Sequence, residues 1–274
     1  MVFSTRPLAP FGVEVEADLS RPLSARQVAQ LRQLVDAHGV ILARNQRLTI
    51  NEQRAVMAHF GKIPDRDLIY VALDDGVLNA DGMGYHSDFS FAHTPYKYLS
   101  LHALELDGPP TSTRFANGAL AYQRLTDDQR KTLARLTTIA VSTATAPRAY
   151  QGDIRDDVFT AVRSAVIYHP RTEQPILYLT ESQHARFNEL SREDGDALFK
   201  ELFDVLYAPG TTLEHVWSVG DILIFDNLML QHGRPYAGKM SRRVLQRVSI
   251  ADVPAHDMLP EFLDESGLPQ VTEA

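Results

Sequence analysis

The chain has 274 residues, of which 44% are hydrophobic and 23% charged, and its formal net charge is −8. These values are ordinary for a globular protein, and without a block of lysine or arginine they exclude a nucleic-acid footprint. Cysteine is absent, which excludes disulfides, thiolate metal sites and cysteine nucleophiles. The N-terminus lacks the pattern of a signal peptide, and no apolar run reaches membrane-spanning length. We therefore expect a cytoplasmic protein with neither a nucleic-acid nor a membrane partner.

Four helices are predicted from capping signals at their N-termini, where a short polar side chain satisfies free backbone amides. Apolar residues recur at helical spacing after these signals, so we expect one face of each helix to pack against the core. Gly39 is expected to end the first helix and Gly210 the last. The capping pairs are Ser24 with Gln27, Thr49 with Glu52, Thr126 with Gln129, and Ser191 with Asp194.

Short β-like runs lie between the helices and are bounded by Gly, Pro, Asp or Asn, as strands usually are. Many short strands, with helices at the start and in insertions, indicate an α+β protein built on a barrel or a double sheet. No glycine-rich nucleotide-binding motif is present. The predicted strands are Val40–Ala43, Tyr98–Leu104, Ala140–Ala144, Ala165–Tyr168, Ile176–Leu179, Leu213–Val219, Asp221–Phe225 and Val244–Ile250.

A candidate metal site begins with His86 and Asp88, which lie two residues apart. In an extended segment such residues point to the same side and can converge on one ion. His232 follows a predicted strand far downstream in a turn-rich stretch. Two imidazoles and one carboxylate, with open coordination positions, are the donor set of non-haem iron oxygenases. A metal-binding protein without oxygenase activity, and a zinc-dependent hydrolase or isomerase, remain alternatives on these residues.

A second group of candidates lies on the last predicted strand, where Arg243 and Arg247 share one face and Val248 and Ile250 the other. The aliphatic face indicates packing. The arginines are either surface charges or residues of a barrel interior, and a buried arginine needs an anionic partner. The fork of arginine matches a carboxylate through two parallel hydrogen bonds.

Five ordered blocks contain or accompany these residues. They are His86-Ser87-Asp88 with Phe91 and Pro95; Thr113–Asn117 with Ala121-Tyr122; His169–Thr172 with Leu177-Tyr178; Trp217, Gly220-Asp221 and Asp226-Asn227 before His232; and Arg242–Arg247. Together they resemble the TauD/TfdA family of iron(II)- and 2-oxoglutarate-dependent dioxygenases, which are related to taurine dioxygenase. The likeness runs roughly from Phe11 to Ile250.

The resemblance implies one domain, residues 1–274, with a double-stranded β-helix (jelly-roll) core and N-terminal and inserted helices. By position, His86, Asp88 and His232 hold Fe(II), while Arg243 and Thr113 bind the distal carboxylate of 2-oxoglutarate. Dioxygen is the second co-substrate. The implied reaction is oxidation, most simply hydroxylation, of a C–H bond in a small acidic molecule, with release of succinate and carbon dioxide. A dimer or tetramer is the implied assembly.

Substrate recognition is the least determined part of the prediction. The resemblance places Arg247 against an anionic group of the substrate. Tyr85, Phe89 and Phe91 surround the metal motif and either line an apolar pocket or pack in the core. Retention of Asp88 disfavours a halogenase, because related halogenases replace this carboxylate with a small residue.

Four positions depart from the family pattern, all outside the predicted ligand set. Tyr85 and Phe225 each replace a tryptophan, Gly233 replaces an arginine, and Gln246 replaces a histidine. The upstream histidine and asparagine that bind substrate in taurine dioxygenase are not recognisable, so taurine itself is not the expected substrate.

Overall fold

The computed structural model describes residues 2–64, 70–72, 82–142, 154, 158–236 and 242–253. Within these ranges the chain forms five helices and sixteen strands. The helices are α1 Ala25–His38, α2 Ile50–Ala58, α3 Gly118–Arg124, α4 Asp127–Leu133 and α5 Arg192–Leu206. The strands are β1 Ser4–Pro7, β2 Val13–Glu16, β3 Val40–Ala43, β4 Tyr70–Ala72, β5 Met83–His86, β6 Tyr98–Asp107, β7 Ser112–Asn117, β8 Thr137–Val141, β9 Thr160–Ser164, β10 Val166–Tyr168, β11 Pro175–Leu177, β12 His184–Phe187, β13 Thr212–Val216, β14 Ile222–Asp226, β15 Leu230–Arg234 and β16 Arg242–Ile250.

The predicted helix starts are confirmed by their capping side chains. Ser24, Thr49 and Thr126 each form a complete capping box, and Ser191 accepts a hydrogen bond from the backbone of Asp194. Such bonds satisfy amides that have no partner inside the helix.

The predicted helix ends are only partly correct. Gly39 ends α1 with a φ of 77°, a backbone angle that glycine adopts without strain. The prediction that Gly210 ends α5 is wrong, because the helix already ends at Leu206 and Gly210 lies in the following turn. Helix α3 was not predicted, although Asn117 caps it with two hydrogen bonds from the backbone amides of Ala119 and Leu120.

Two large sheets face each other and confirm the jelly-roll core. One has seven strands in the order β1-β2-β3-β14-β6-β16-β4, and the other has four in the order β13-β7-β15-β5. Leu99, Leu223 and Leu245 of the larger sheet pack with Phe115 and Leu230 of the smaller one. The interior between the sheets is therefore closed by side chains from both, as in other double-sheet folds.

Two further cores attach the helices. On the outer face of the larger sheet, Leu31 of α1 and Met57 of α2 pack with Val248 and Ile250 of β16. This contact confirms that the aliphatic face of the last predicted strand is a packing face. A third core joins α3, α4 and α5 to the smaller accessory sheets β12-β8-β9 and β10-β11.

Several strands differ from their predicted ranges. The predicted strand Ala140–Ala144 is placed at Thr137–Val141, and its residues 143–144 lie outside the described residues. Strands β5, β7 and β15 were not predicted as strands, although they carry both candidate histidine ligands and Thr113. They are short and rich in polar residues, so their alternation of apolar and polar residues is weak. Within the described ranges, no helix is both long enough and apolar enough to span a bilayer.

Phe199 tests the packing of α5. It is fully buried, and its ring centroid lies 4.3 Å from that of Phe187. We predict that Phe199→Ala lowers the free energy of unfolding by about 3–5 kcal/mol, because a large buried ring leaves a cavity. The matched control is Val216→Ala at an exposed position, expected to change it by less than about 0.5 kcal/mol. Urea unfolding of both variants measures the difference, and equal losses would contradict this packing.

Candidate metal centre

The two histidines of the candidate site lie side by side on neighbouring strands. His86 of β5 pairs directly with His232 of β15, and their ring centroids are 4.2 Å apart. Nδ1 of His86 lies 3.0 Å from the carbonyl oxygen of Gly84. A carbonyl only accepts, so Nδ1 carries the proton and the lone pair of Nε2 is available as a ligand.

Asp88 completes the group from a turn that follows β5, not from the extended segment that the sequence suggested. Its Oδ1 lies 3.4 Å from Nε2 of His86 and 3.7 Å from Nε2 of His232. The three ligand atoms all lie within 4.8 Å of one another. Two neutral imidazoles and a carboxylate at this spacing suit Fe(II), Mn(II) or Zn(II) and leave coordination positions open.

The turn that carries Asp88 is held by two amide side chains. Asn227 accepts a hydrogen bond from the Asp88 backbone N–H and donates one to the Asp88 carbonyl, each 2.9 Å long. Gln183 Oε1 accepts from the Ser87 N–H at 3.0 Å and from the Ser90 hydroxyl at 2.8 Å. The backbone of Asp88 and of its neighbours is thus held by hydrogen bonds, which fixes the position from which the carboxylate projects.

Arg247 contributes the charge that keeps Asp88 ionised. Its Nη2 lies 2.6 Å from Asp88 Oδ2, the oxygen that does not face the histidines. Burial opposes ionisation of Asp88, but the nearby guanidinium of Arg247 outweighs it and holds the pKa of Asp88 below its usual range. Burial, assisted by His86, lowers the pKa of His232 to about 3, so its imidazole is in the neutral form that a metal requires.

Arg243 is 2% exposed, so it is a residue of the barrel interior and not a surface charge. In the described part of the chain, nothing forms a hydrogen bond with its Nε or Nη1. Burial, and then the nearby charge of Arg234, lower the pKa of Arg243 to about 10. A buried guanidinium with two unused N–H groups and a second cation close by is suited to receive a carboxylate.

Thr113 lies on β7 and is also buried. Trp217 Nε1 donates a hydrogen bond to Thr113 Oγ1 at 3.0 Å. A hydroxyl that accepts from an indole still has its own proton to donate. Thr113 is therefore oriented as a donor by Trp217, the only tryptophan of the chain.

The predicted aromatic residues separate into two groups. Phe89 and Phe91 stack with centroids 5.5 Å apart, and Phe89 also contacts Tyr96 at 4.5 Å. Both phenylalanines are partly buried against the core between the sheets. Tyr85 instead stacks on Tyr207 of the α5 C-terminus at 4.4 Å, because consecutive strand residues point to opposite faces. The structure thus places Tyr85 away from His86.

A buried ion-pair network supports the base of β15. Asp226 Oδ2 accepts from His169 Nε2 at 2.9 Å and from Arg171 Nη2 at 2.5 Å. Its Oδ1 accepts from the backbone amides of Leu228 and Met229, each at 2.9 Å. Burial opposes the charge, yet these partners hold the pKa of Asp226 below its usual value. The turn leading to His232 is therefore fixed by a charged, fully hydrogen-bonded group.

Gly233 explains one departure from the family pattern. A Cβ at this position would lie 2.8 Å from the carbonyl oxygen of Met83 on the neighbouring strand. The close approach of β5 and β15, which brings the two histidines together, therefore leaves no room for an arginine side chain here.

Sequence reasoning did not identify Asn227 or Gln183 as site residues. Asn227 was visible only as part of the Asp-Asn block, and Gln183 carried no signal. Trp217 was likewise matched as a block residue without a role. Each acts on a residue far away along the chain, so its contact depends on the fold.

The chain is similar to known proteins along almost its whole length. The family model "Taurine catabolism dioxygenase TauD, TfdA family" matches residues 4–249. Pentalenolactone F synthase of Streptomyces avermitilis is 28% identical, over 89% of this chain and 92% of that protein. The alpha-ketoglutarate-dependent 2,4-dichlorophenoxyacetate dioxygenase of Cupriavidus pinatubonensis is also 28% identical, over 90% and 96%. A taurine dioxygenase crystal structure from Burkholderia xenovorans superposes with a TM-score of 0.78 at 23% identity, over 92% and 90%.

Asn227 provides a test of how the metal position is built. We predict that Asn227→Ala weakens manganese(II) binding about 10- to 100-fold, as loss of a supporting residue behind metal ligands typically does. The cause is release of the Asp88 backbone, with all three ligands still present. Asn51→Ala, on the exposed first turn of α2, is the matched control. Calorimetric titration measures the manganese(II) affinity of both variants. An unchanged affinity in Asn227→Ala would show that the hydrogen bonds from Asn227 to the Asp88 backbone do not support metal binding.

Proposed function

This chain belongs to the TauD/TfdA family and is an Fe(II)- and 2-oxoglutarate-dependent dioxygenase, and we propose that it oxidises a C–H bond of a small organic acid at His86, Asp88 and His232. The observation that carries the proposal is the convergence of these three ligand atoms within 4.8 Å. Iron(II), with 2-oxoglutarate and dioxygen, supplies the oxidising power there, and the products besides the oxidised substrate are succinate and carbon dioxide.

The protein's contribution at the metal is to fix three ligands in the correct protonation states. The hydrogen bond from His86 to Gly84 selects the tautomer, and burial keeps His232 neutral. Arg247 keeps Asp88 ionised and oriented through the oxygen away from the histidines. We propose this orienting role for Arg247; a contact with substrate, as the family resemblance implies, would share the same guanidinium with Asp88.

Arg243 and Thr113 are the proposed ligands of the distal carboxylate of 2-oxoglutarate. The support is the unused Nε and Nη1 of Arg243 and the donor orientation of Thr113 by Trp217. Neither a metal-binding scaffold nor a zinc hydrolase accounts for a buried arginine in need of an anion. Phe89 and Phe91 are proposed to line the substrate pocket, whereas Tyr85, which stacks on Tyr207, is not retained there.

An acidic substrate is supported by one relative whose name states its substrate. The 2,4-dichlorophenoxyacetate dioxygenase acts on an aromatic carboxylate. We further propose that residues 1–274 form a single domain, that it assembles as a dimer or tetramer, and that it is located in the cytoplasm. Light scattering of the purified protein measures the assembly.

Asp88 provides the direct test of the reaction. We predict that the iron-loaded protein forms succinate from 2-oxoglutarate when supplied with small organic acids in air. Asp88→Ala should reduce this turnover by at least about 10²-fold, because an ionised ligand is lost. Succinate is quantified by mass spectrometry. Exposed Asp128→Ala is the control, and absence of succinate with every acid would contradict the proposed reaction.

Arg243 provides the test of the co-substrate site. We predict that Arg243→Gln weakens 2-oxoglutarate binding by about 2–5 kcal/mol, the usual effect of removing a buried partner of a charge. This corresponds to roughly 30-fold or more in the 2-oxoglutarate requirement. The neighbouring exposed Arg242→Gln carries the same charge change and should leave the requirement unaltered. An equal effect in the two variants would place the carboxylate elsewhere.

A further inference from the structure

The accessory sheet β12-β8-β9 presents a histidine and an arginine on one face. His184 pairs with Ala140, and Ala140 pairs with Ala161. Directly paired residues project to the same face of a sheet, as do residues two apart on one strand. Arg163, two residues beyond Ala161, therefore projects from the same face as His184. On the intervening strand β8 this face carries Ala140 beside His184 and Thr138 beside Arg163, both small side chains.

Three polar groups at this face are shielded from solvent without a hydrogen-bond partner among the described residues: Nε2 of His184, Oη of Tyr178 and Nη2 of Arg163. His184 and Tyr178 are 1% and 4% exposed, and their rings lie edge to face with centroids 6.2 Å apart. The backbone N–H of Thr180 donates to His184 Nδ1 at 2.9 Å. The ring proton of His184 is therefore on Nε2, so all three unpartnered groups can donate.

The positive charge of Arg163 influences the pKa of both His184 and Tyr178. Burial, and then Arg163, lower the pKa of His184 to about 3. Burial raises the pKa of Tyr178 above its usual value, and Arg163 acts in the opposite direction. The cluster is thus one cation with two neutral donors, an arrangement that favours an anion.

The cluster lies beside the metal centre. Arg163 Nε donates to the carbonyl oxygen of Ser90 at 3.2 Å. Ser90 is two residues beyond Asp88, so their Cα atoms are at most roughly 7.6 Å apart. The same Ser90 is tied to Gln183, the residue before His184. The donor cluster and the metal position are therefore joined by one short loop.

Aromatic residues adjoin the donors. Phe159 is two residues before Ala161 and projects from the same face of the sheet. It packs on the core that contains Tyr178, as do Phe89 and Phe91. Polar donors next to stacked apolar rings suit a ligand with a charged end and an aromatic or aliphatic body.

Buried donors without partners are rare in native proteins and mark a site for a ligand, water or ion. Arg247, the predicted anion receptor, is already engaged with Asp88. We propose that Arg163, His184 and Tyr178 bind the carboxylate of the substrate and hold its apolar body between the phenylalanines and the metal. This subsite rests on the proposed function, because it assigns the substrate class of that same centre.

Calorimetry on the anaerobic protein loaded with iron(II) and 2-oxoglutarate tests the subsite with phenoxyacetate and its uncharged analogue 2-phenoxyethanol. The wild type should bind phenoxyacetate at least about tenfold more tightly than the alcohol. Arg163→Gln should remove this preference, whereas Arg186→Gln, an exposed position on β12, should retain it. Binding of neither compound by the wild type, equal binding of both, or a preference unchanged in Arg163→Gln overturns the proposal.

A second measurement locates the anion without use of the reaction. Crystals of the wild type soaked in sodium bromide should show an anomalous peak within hydrogen-bond distance of Arg163 Nη2 and His184 Nε2, and crystals of His184→Phe should not. Only water at this position overturns the subsite. Bromide there without a preference for phenoxyacetate in solution shows an adventitious ion only, and overturns the substrate role. Succinate formation by the same wild-type preparation tests the proposed reaction separately. The proposed subsite and the proposed reaction can therefore fail independently.

Discussion

The metal centre depends on one partly buried carboxylate, that of Asp88, whose two oxygens face different partners. Oδ1 faces the two histidines and Oδ2 faces Arg247. An ionised carboxylate in the interior is costly unless cations and hydrogen bonds surround it. Arg247 compensates the charge of Asp88 before a metal binds, and a bound divalent metal would add further positive charge. Asp88 is therefore ionised, and its turn is held by Asn227, before a metal binds.

The two sheets divide the work of the site. The smaller sheet supplies His86, His232 and Thr113, and β16 of the larger sheet supplies Arg243 and Arg247. The two histidines and the two arginines thus lie on facing sheets, and their separation is set by the packing of the core. We propose that this arrangement holds a dicarboxylic co-substrate at both ends, with the metal at one end and Arg243 at the other.

The candidate ligands could be selected from the sequence because metal chemistry restricts the residue types. The combination is specific for this kind of site: a histidine and an aspartate two residues apart, a distant histidine, and two arginines on one face of a strand. Asn227 and Gln183 could not be predicted, because each bonds the backbone of a residue 139 or 96 positions away. The direction of the Tyr85 side chain could not be predicted either, because it depends on where β5 begins and ends. Helix starts carry local capping signals, whereas α5 ends before Gly210 at a C-cap, Tyr207, that stacks on the distant Tyr85.

The central claim is that His86, Asp88 and His232 hold an iron(II) ion that 2-oxoglutarate chelates. Anaerobic titration of the purified protein with iron(II) and then 2-oxoglutarate, followed by visible absorption, tests this claim most directly. The account predicts a charge-transfer band that saturates at one iron per chain in the wild type and is missing in His232→Ala. A wild type that binds iron and 2-oxoglutarate without developing the band, or a His232→Ala variant that retains it, would contradict the account.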